Sequence, residues 1–203
     1  MRNLVRRPLP LVALLAPLAL VACASVAVPP PAPPALTEPP AVATKGFLTA
    51  YTEQTVPMSV PELRAFMRER PVIEFLQPTD NIANPVEAKV LAGTWGEPGA
   101  ARWLRLADGH YVVERILENE PDLFRYQVFT FTNATGRGVE QIVGEQRFVP
   151  VEDGTQFQWT YNVKPRNVVT RQVVRGSMDE IEGYIAGGLA GFAEAARAAK
   201  AGG

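Results

Sequence analysis

Two ionisable residues, Arg102 and Glu114, lie in neighbouring stretches of alternating apolar sequence, residues 101–107 and 110–118. A short turn separates the two stretches, so paired strands would bring a guanidinium and a carboxyl close together. The carboxyl could act as a general acid or base and the guanidinium could stabilise an enolate, with Tyr126 as a proton donor. The same residues could instead form a structural ion pair, or both could face solvent. The residue types therefore allow catalysis without requiring it.

Several other kinds of catalytic site are excluded by composition. The sequence has a single Cys, Cys23, and a single His, His110, so it cannot supply a zinc set of thiolates and imidazoles. Ser, His and Asp all occur, but no nucleophile elbow or phosphate-binding loop is present in the sequence. We therefore expect neither a metal nor a cofactor, and we expect His110 to lie in an exposed turn.

The N-terminus has the parts of a bacterial export signal. Three arginines precede an apolar run, residues 9–20, which ends in Leu20-Val21-Ala22-Cys23. The run is shorter than the ~20 residues that a helix needs to cross a bilayer. The pattern resembles the lipobox of bacterial lipoproteins, which implies that Cys23 carries the lipid and becomes the first mature residue. The alternatives are a secretory signal cleaved at an alanine and a short membrane helix.

The expected location and charge follow from this signal. Ala24, rather than Asp, follows Cys23, which resembles the outer-membrane sorting pattern of enteric lipoproteins. We expect a lipid anchor in the cell envelope on the periplasmic face, in the outer membrane rather than the inner one. Loss of residues 1–22 removes three of the 20 Lys and Arg residues and leaves 21 acidic residues, a net charge near −4 (17 − 21). Such a chain is not expected to bind nucleic acid.

Residues 24–44 have the composition of a tether. Seven prolines occur from Pro29 to Pro40, and proline lacks a backbone donor and disfavours helix in the residue before it. We expect an extended segment without fixed contacts; a ligand for an SH3-type domain is the alternative interpretation of the prolines. The predicted division is a signal peptide at 1–22, a lipidated tether at 23–45 and one domain at 46–203.

The domain is predicted to be mainly an antiparallel meander. Short alternating apolar runs separated by turn residues indicate seven strands with mostly short connections. Ser59 and Glu62 match a capping box that starts a helix through Arg68, and a second short helical piece is predicted at 72–76. The predicted strands are 47–56, 86–94, 101–107, 110–118, 123–132, 138–150 and 155–164.

One long helix is predicted at the C-terminus, from Met178 to Lys200, with Ser177 and Glu180 as a second capping box. Apolar residues at three- and four-residue spacing give this helix one face for a core, while its acidic residues argue against burial in a bilayer. The apolar positions are Ile181, Tyr184, Ile185, Leu189, Phe192 and Ala196.

This order of elements resembles the START-like helix-grip superfamily of polyketide cyclases, pollen allergens and lipid-transfer domains, over about residues 47 to 200. The runs that carry the resemblance are Arg102-Trp103-Leu104-Arg105-Leu106-Ala107-Asp108-Gly109, Tyr111-Val112-Val113-Glu114-Arg115-Ile116 and Gly154-Thr155-Gln156-Phe157-Gln158-Trp159. The resemblance implies an α+β fold in which a curved sheet of about seven strands wraps around the long C-terminal helix. A sheet with one apolar face must cover that face with the helix.

The fold implies a cavity between sheet and helix, where small molecules bind. Alternation with Leu104 and Leu106 puts Arg102 on the inner face, and the resemblance puts Glu114 there too. For Trp159 and Tyr161, plain core packing is the alternative to ligand stacking. The predicted ligand-binding residues are Arg102, Leu104, Glu114, Tyr126, Trp159, Tyr161, Ile185 and Leu189.

Three functions fit the sequence. The leading hypothesis is a membrane-tethered module, not an enzyme, that binds a small hydrophobic or amphipathic molecule. The second is a cyclase- or hydratase-type enzyme that uses Glu114 and Arg102. The third is an envelope scaffold whose interior is filled by its own side chains. A cavity of several hundred Å³ would favour the first two.

Overall fold

The computed structural model describes residues 31–202. The predictions about the export signal and Cys23 fall outside this range, as does the first part of the predicted tether, and the division into three segments stays a prediction. Within residues 31–202, no helix combines the length and the apolar character needed to cross a membrane.

Seven strands form one curved antiparallel sheet in the order β1-β7-β6-β5-β4-β3-β2. Strands β2 to β7 each pair with their neighbour in sequence, and β1 pairs with β7 at the other edge. Register shifts in three of the pairs bend the sheet locally. The strands are β1 Leu48–Val56, β2 Pro85–Ala92, β3 Ala101–Leu106, β4 Tyr111–Glu120, β5 Leu123–Phe129, β6 Val139–Val151 and β7 Gly154–Pro165.

Three α-helices accompany the sheet: α1 Val60–Glu69, α2 Val168–Gly176 and α3 Met178–Gly202. The capping box that starts α1 is confirmed, because the Glu62 carboxylate accepts hydrogen bonds from the backbone N–H and the hydroxyl of Ser59, both at 2.8 Å. These bonds, and Lys200 at 3.1 Å, lower the pKa of Glu62 to about 2. The short piece predicted at 72–76 is a 3₁₀ turn, Val72–Phe75.

Helix α3 crosses the concave face of the sheet and forms the main core with it. Its Phe192 ring lies 5.4 Å from Phe66 of α1 and 5.8 Å from Phe157 of β7, measured between ring centroids. Together with the single antiparallel sheet, this confirms the predicted α+β helix-grip fold. The convex face of β3–β5 also has a buried apolar cluster, which the prediction of one apolar face did not include: Trp103, Tyr111, Val113 and Phe129.

Helix α2 was not predicted. Its valines favour strands, which concealed the helix, although the local capping signal was readable. The Asn167 side chain accepts hydrogen bonds from the N–H groups of Val169 and Thr170 at 3.0 and 2.9 Å, and the Thr170 hydroxyl accepts one from the N–H of Asn167 at 3.1 Å. This is a reciprocal N-terminal cap.

The second predicted capping box was wrong. Ser177 ends α2, and the Glu180 carboxylate does not return to it but accepts hydrogen bonds from Thr79 and Asn81. These hydrogen bonds lower the pKa of Glu180. Because α2 leads into α3 through a single residue, the first turn of α3 can bind the loop that follows the 3₁₀ turn instead of capping itself.

The end of the predicted tether contacts the sheet, contrary to the expectation of no fixed contacts. The Pro40 carbonyl accepts hydrogen bonds from Gln127 Nε2 at 3.1 Å and Arg115 Nη2 at 3.3 Å. Gln141 accepts from the Ala43 N–H at 3.2 Å and donates to the Ala41 carbonyl at 3.0 Å. We call residues 40–43 the strap. The strap binds the sheet through the carbonyls of Pro40 and Ala41 and through the N–H of Ala43.

Candidate ligand-binding site

Arg102 and Glu114 lie directly opposite each other on β3 and β4 and face the concave side of the sheet, as alternation predicted for Arg102 and the family resemblance implied for Glu114. Arg102 Nε donates to Glu114 Oε2 at 2.7 Å, and a second guanidinium nitrogen lies 2.7 Å from the same oxygen. Both contacts from Arg102 reach Oε2. No hydrogen bond to Oε1 is present within residues 31–202. Since Glu114 is only 4% exposed, this oxygen is available chiefly to a molecule inside the protein.

The guanidinium of Arg102 is also held from the side. Its central carbon lies 3.6 Å from the centroid of the Trp95 ring, a cation–π arrangement. The loop that carries Trp95 is fixed by Asn119, whose amide donates to the Gly96 carbonyl at 2.5 Å. The Asn119 oxygen accepts a hydrogen bond from Arg64 of α1. One helix, one loop and two strands therefore position the charged groups.

Arg64 is half-buried and lies against aromatic rings rather than a carboxylate. Its guanidinium carbon is 4.8 Å from the Phe148 centroid and 6.0 Å from the Phe124 centroid. Burial, together with the nearby positive charge of Arg68, lowers the pKa of Arg64. No salt bridge to Arg64 is present among the described residues. Its charge is therefore compensated only by dipoles and ring faces.

These groups line a cavity of about 440 Å³ between α1, the Trp95 loop and the sheet. Most of its surface is apolar, but we call it the polar cavity because charged side chains are concentrated in it. Three arginines line it, Arg64, Arg68 and Arg102, against a single carboxylate, Glu114. The Arg102–Glu114 pair is neutral as a unit, so the cavity has an excess of positive charge. A carboxylate or phosphate group would satisfy both that excess and the donors of the guanidinium groups.

A second cavity, of about 500 Å³, lies between the sheet, α2 and the start of α3. Its walls are mainly aliphatic and aromatic, and it suits a hydrocarbon or ring system. The two volumes argue against an interior filled by its own side chains. The apolar lining includes Leu76, Leu104, Leu106, Val112, Val128, Phe131, Val139, Ile142, Val174, Ile181 and Tyr184.

The two cavities share a wall made of Ile73, Glu114 and Tyr126. Tyr126 is held in this wall because its hydroxyl accepts a hydrogen bond from Trp159 Nε1 at 2.9 Å. Its register partner on β6 is Gly144, where a Cβ atom would lie 2.1 Å from the Tyr126 ring. Glycine at this position therefore makes room for the ring. The polar cavity and the apolar cavity are therefore direct neighbours, in contact through these three side chains.

The tyrosines of this region are neutral at physiological pH. Burial raises the pKa of Tyr126 well above its usual value, and the nearby phenol of Tyr161 and carboxylate of Glu114 act in the same direction. Burial also raises the pKa of Tyr161 to about 12. The pKa of Tyr184 is raised by burial as well. Neutral phenols can donate hydrogen bonds to a ligand without adding negative charge to the cavities.

The predicted binding residues divide into two groups. Leu104, Tyr161 and the wall residues Glu114 and Tyr126 line the apolar cavity, and Arg102 lines the polar one. Three others line neither cavity and belong to the fully buried core: Trp159, Ile185 and Leu189. Helix α3 instead lines the apolar cavity with residues near its start, among them Ile181 and Tyr184. Farther along α3, Phe66 of α1 and Phe75 of the 3₁₀ turn pack on Phe192.

Sequence reasoning missed Arg64, Trp95 and Asn119. Arg64 follows Leu63 on the predicted first helix, and its four-residue spacing with Arg68 was a readable signal for a basic edge. Trp95 stands in a turn beside Gly96, where a large aromatic residue has no strand to pack on. Nothing local indicated Asn119. His110 is half-buried rather than exposed, with Nδ1 3.2 Å from the Thr132 hydroxyl, and lines neither cavity.

Comparison with known proteins identifies the family. Residues 72–197 match the sequence profile of the family described as polyketide cyclase / dehydrase and lipid transport. This match covers more than half of the 203 residues, and the chain belongs to that family. No protein of curated function matches the chain in sequence.

Solved structures show the same fold at low sequence identity. A Thermus thermophilus protein is 14% identical, with a TM-score of 0.53, over 75% of this chain and 99% of its own. A Nitrosospira multiformis protein is 16% identical, with a TM-score of 0.53, over 72% and 94%. The di-domain ARO/CYC protein StfQ of the steffimycin biosynthetic pathway is 12% identical, with a TM-score of 0.56, over 77% and 52%. These similarities establish the fold. The chemistry of the ligand has to be inferred from the residues that line the site.

Proposed function

We propose that this protein is a lipid-anchored binding protein of the bacterial cell envelope that holds an amphiphile with a negatively charged head group. The head group lies in the polar cavity, near Arg64 and Arg102, and the apolar body lies in the second cavity. The observation that carries this proposal is the shared wall, since it places an excess of positive charge directly beside a large apolar volume.

The chain binds rather than converts its ligand. Two guanidinium nitrogens of Arg102 contact Glu114, and the guanidinium also stacks on Trp95. The two groups suited to acid–base chemistry therefore hold each other in place. In such an arrangement Arg64 and Arg68 remain as donors for the anionic head group, and Glu114 Oε1 can accept a hydrogen bond from a hydroxyl group or water beside it.

The binding experiment compares oleate with oleyl alcohol, which share a chain and differ in head-group charge. We expect the dissociation constant for oleate to be at least tenfold lower, a difference of about 1.4 kcal/mol. Arg64→Gln should remove most of this preference. The matched control is Arg105→Gln, on the same strand as Arg102 but paired with Glu87 and lining neither cavity.

A second variant tests the apolar cavity. Val112→Phe places extra volume in it and should weaken both probes to a similar degree, with the fold checked by circular dichroism. Equal affinity for the two probes in the unaltered protein would contradict the charged head group. Binding unaffected by Val112→Phe would contradict the apolar cavity. The anchor is tested separately by Cys23→Ser, which should release the protein from the membrane fraction or block its processing.

A further inference from the structure

The outer face of α2 is apolar and uncovered. Val168, Val169 and Val173 are 80%, 73% and 68% exposed, the largest exposed fractions among the big apolar residues of the described chain. Val174, on the opposite side of the helix, packs with Val139 and Val163 and fixes α2 on the sheet. The helix therefore presents three neighbouring valines outward from a fixed support. Single exposed valines are ordinary, but a contiguous group on one short helix points to a contact surface.

The charged residues of α2 itself are all basic, and the nearest acidic residue in the cavity that Val173 lines is Glu180 at the start of α3. No acidic residue occurs from Gly154 through Met178, a stretch that contains Arg166, Arg171 and Arg175. Arg137 lies beside them, since its carbonyl accepts a hydrogen bond from Arg166 at 2.8 Å. Among the described residues none of the four arginines forms a salt bridge. We call these three valines and four arginines the α2 surface.

The α2 surface lies at the mouth of the apolar cavity. Thr170, Val173 and Val174 belong both to α2 and to the lining of that cavity. On its other side, Arg171 donates hydrogen bonds to the carbonyls of Gly46 and Phe47 at 2.9 and 3.4 Å, where the segment after the strap enters β1. One short helix thus joins the N-terminal segment, the cavity opening and the exposed valines.

From this arrangement we infer that the α2 surface docks on the head-group region of an anionic lipid bilayer. The valines enter the interface and the arginines pair with lipid phosphates. A second copy of the chain is a poorer occupant, because a twofold contact would set the same arginines against each other. Three valines also supply little of the ~800 Å² that each partner of a stable complex buries. Docking here would open the apolar cavity toward the bilayer, and it does not require lipid on Cys23.

The test uses a fluorescent label on α2. Cys23 is the only cysteine, so the full chain with Cys23→Ala and Val169→Cys can be labelled with an NBD group at one site. The control label is Glu152→Cys in the β6–β7 turn, at the opposite end of the hairpin from α2. Both proteins are mixed with vesicles of phosphatidylglycerol and phosphatidylcholine in equal parts, and with phosphatidylcholine alone.

We expect the emission of the Val169 label to shift to the blue and brighten with the anionic vesicles only, and the Glu152 label to stay unchanged. Replacing Arg137 and Arg175 by Gln should weaken partitioning roughly thirtyfold, because each arginine near an anionic surface contributes about fivefold. High salt should weaken it as well.

Three results would overturn the inference. The first is an unchanged Val169 label in the presence of anionic vesicles. The second is an equal response of the Glu152 label, which would mean that the apolar N-terminus alone brings the chain to the vesicle. The third is a blue shift that grows with protein concentration in the absence of vesicles, which would make the α2 surface a contact between copies.

Discussion

The two faces of the sheet both bury polar side chains, but they satisfy them differently. On the convex face, Gln127 and Gln141 are fully buried, bond each other at 2.7 Å and bond the backbone of the strap. On the concave face, Arg102 and Glu114 bond each other, and Glu114 Oε1 faces the cavities without a partner in residues 31–202. The convex network is complete, whereas the concave pair has hydrogen-bonding capacity left over.

This difference separates a structural contact from a binding site. A buried polar group whose partners are all internal stabilises one conformation and offers nothing to another molecule. A buried pair with a spare acceptor beside a cavity remains partly unsatisfied until a ligand or water arrives. The concave pair should therefore respond to ligand, while the convex network should respond only to changes in the chain.

The largest effect is expected from breaking the concave pair. Glu114→Gln and Arg102→Met should each lower the free energy of unfolding by roughly 3 kcal/mol, since each leaves one partly buried group without its partner. The double variant should be less destabilised than the sum of the two. Urea denaturation of the four proteins measures these values.

A surface pair on the same strand is the matched control. Arg105 and Glu87 are also joined at 2.7 Å, but their side chains are 38% and 51% exposed. Arg105→Met and Glu87→Gln should cost less than about 1 kcal/mol each. If the concave variants cost no more than the surface variants, the cavities are too wet for the pair to matter, and the head-group argument fails.

The next effect concerns the strap. Gln141→Leu removes the partner of the Ala43 N–H, the Ala41 carbonyl and Gln127, and should cost about 2 kcal/mol, within the usual range for unsatisfied buried groups. In a chain lacking residues 40–43 the same substitution should cost clearly less, because Ala41 and Ala43 are already absent and only the bond to Gln127 is lost. An equal cost in both chains would mean that the strap does not bind the sheet in solution. Deletion of residues 24–39 should change stability by no more than about 0.5 kcal/mol.

Much of the fold was predictable because its signals are local. Alternation, short turns and the Ser59–Glu62 cap fix the strands and the first helix, and alternation alone put Arg102 beside Leu104 on the concave face. The orientation of Glu114 needed the family resemblance, since its strand is apolar on both sides: Val112 and Val113 are both buried.

The rest of the site depends on contacts between distant residues, which no local pattern contains. Arg64 and Asn119 are 55 positions apart, and the strap reaches Gln141 across about 100 positions. Proline density predicted a tether but says nothing about the residues that its end binds. For Gln127 and Gln141, alternation can assign a face of the sheet but cannot show that the strap covers it.

The smallest effect is expected at alkaline pH and again concerns the concave face. Tyr161 lines the apolar cavity, and its pKa of about 12 exceeds the value of about 10 expected in an unfolded chain. Below pH 10, Tyr161 is protonated in both the folded and the unfolded chain, and its raised pKa contributes fully to stability. As pH rises from about 10 to about 12, Tyr161 loses its proton in the unfolded chain but not in the folded one, so this contribution to the free energy of unfolding is lost. The urea midpoint should therefore fall over this range. Tyr161→Phe should make the fall shallower without removing it, since Tyr126 and Tyr184 titrate in the same direction. If the two slopes are equal, Tyr161 is already solvated and the apolar cavity stands open to water.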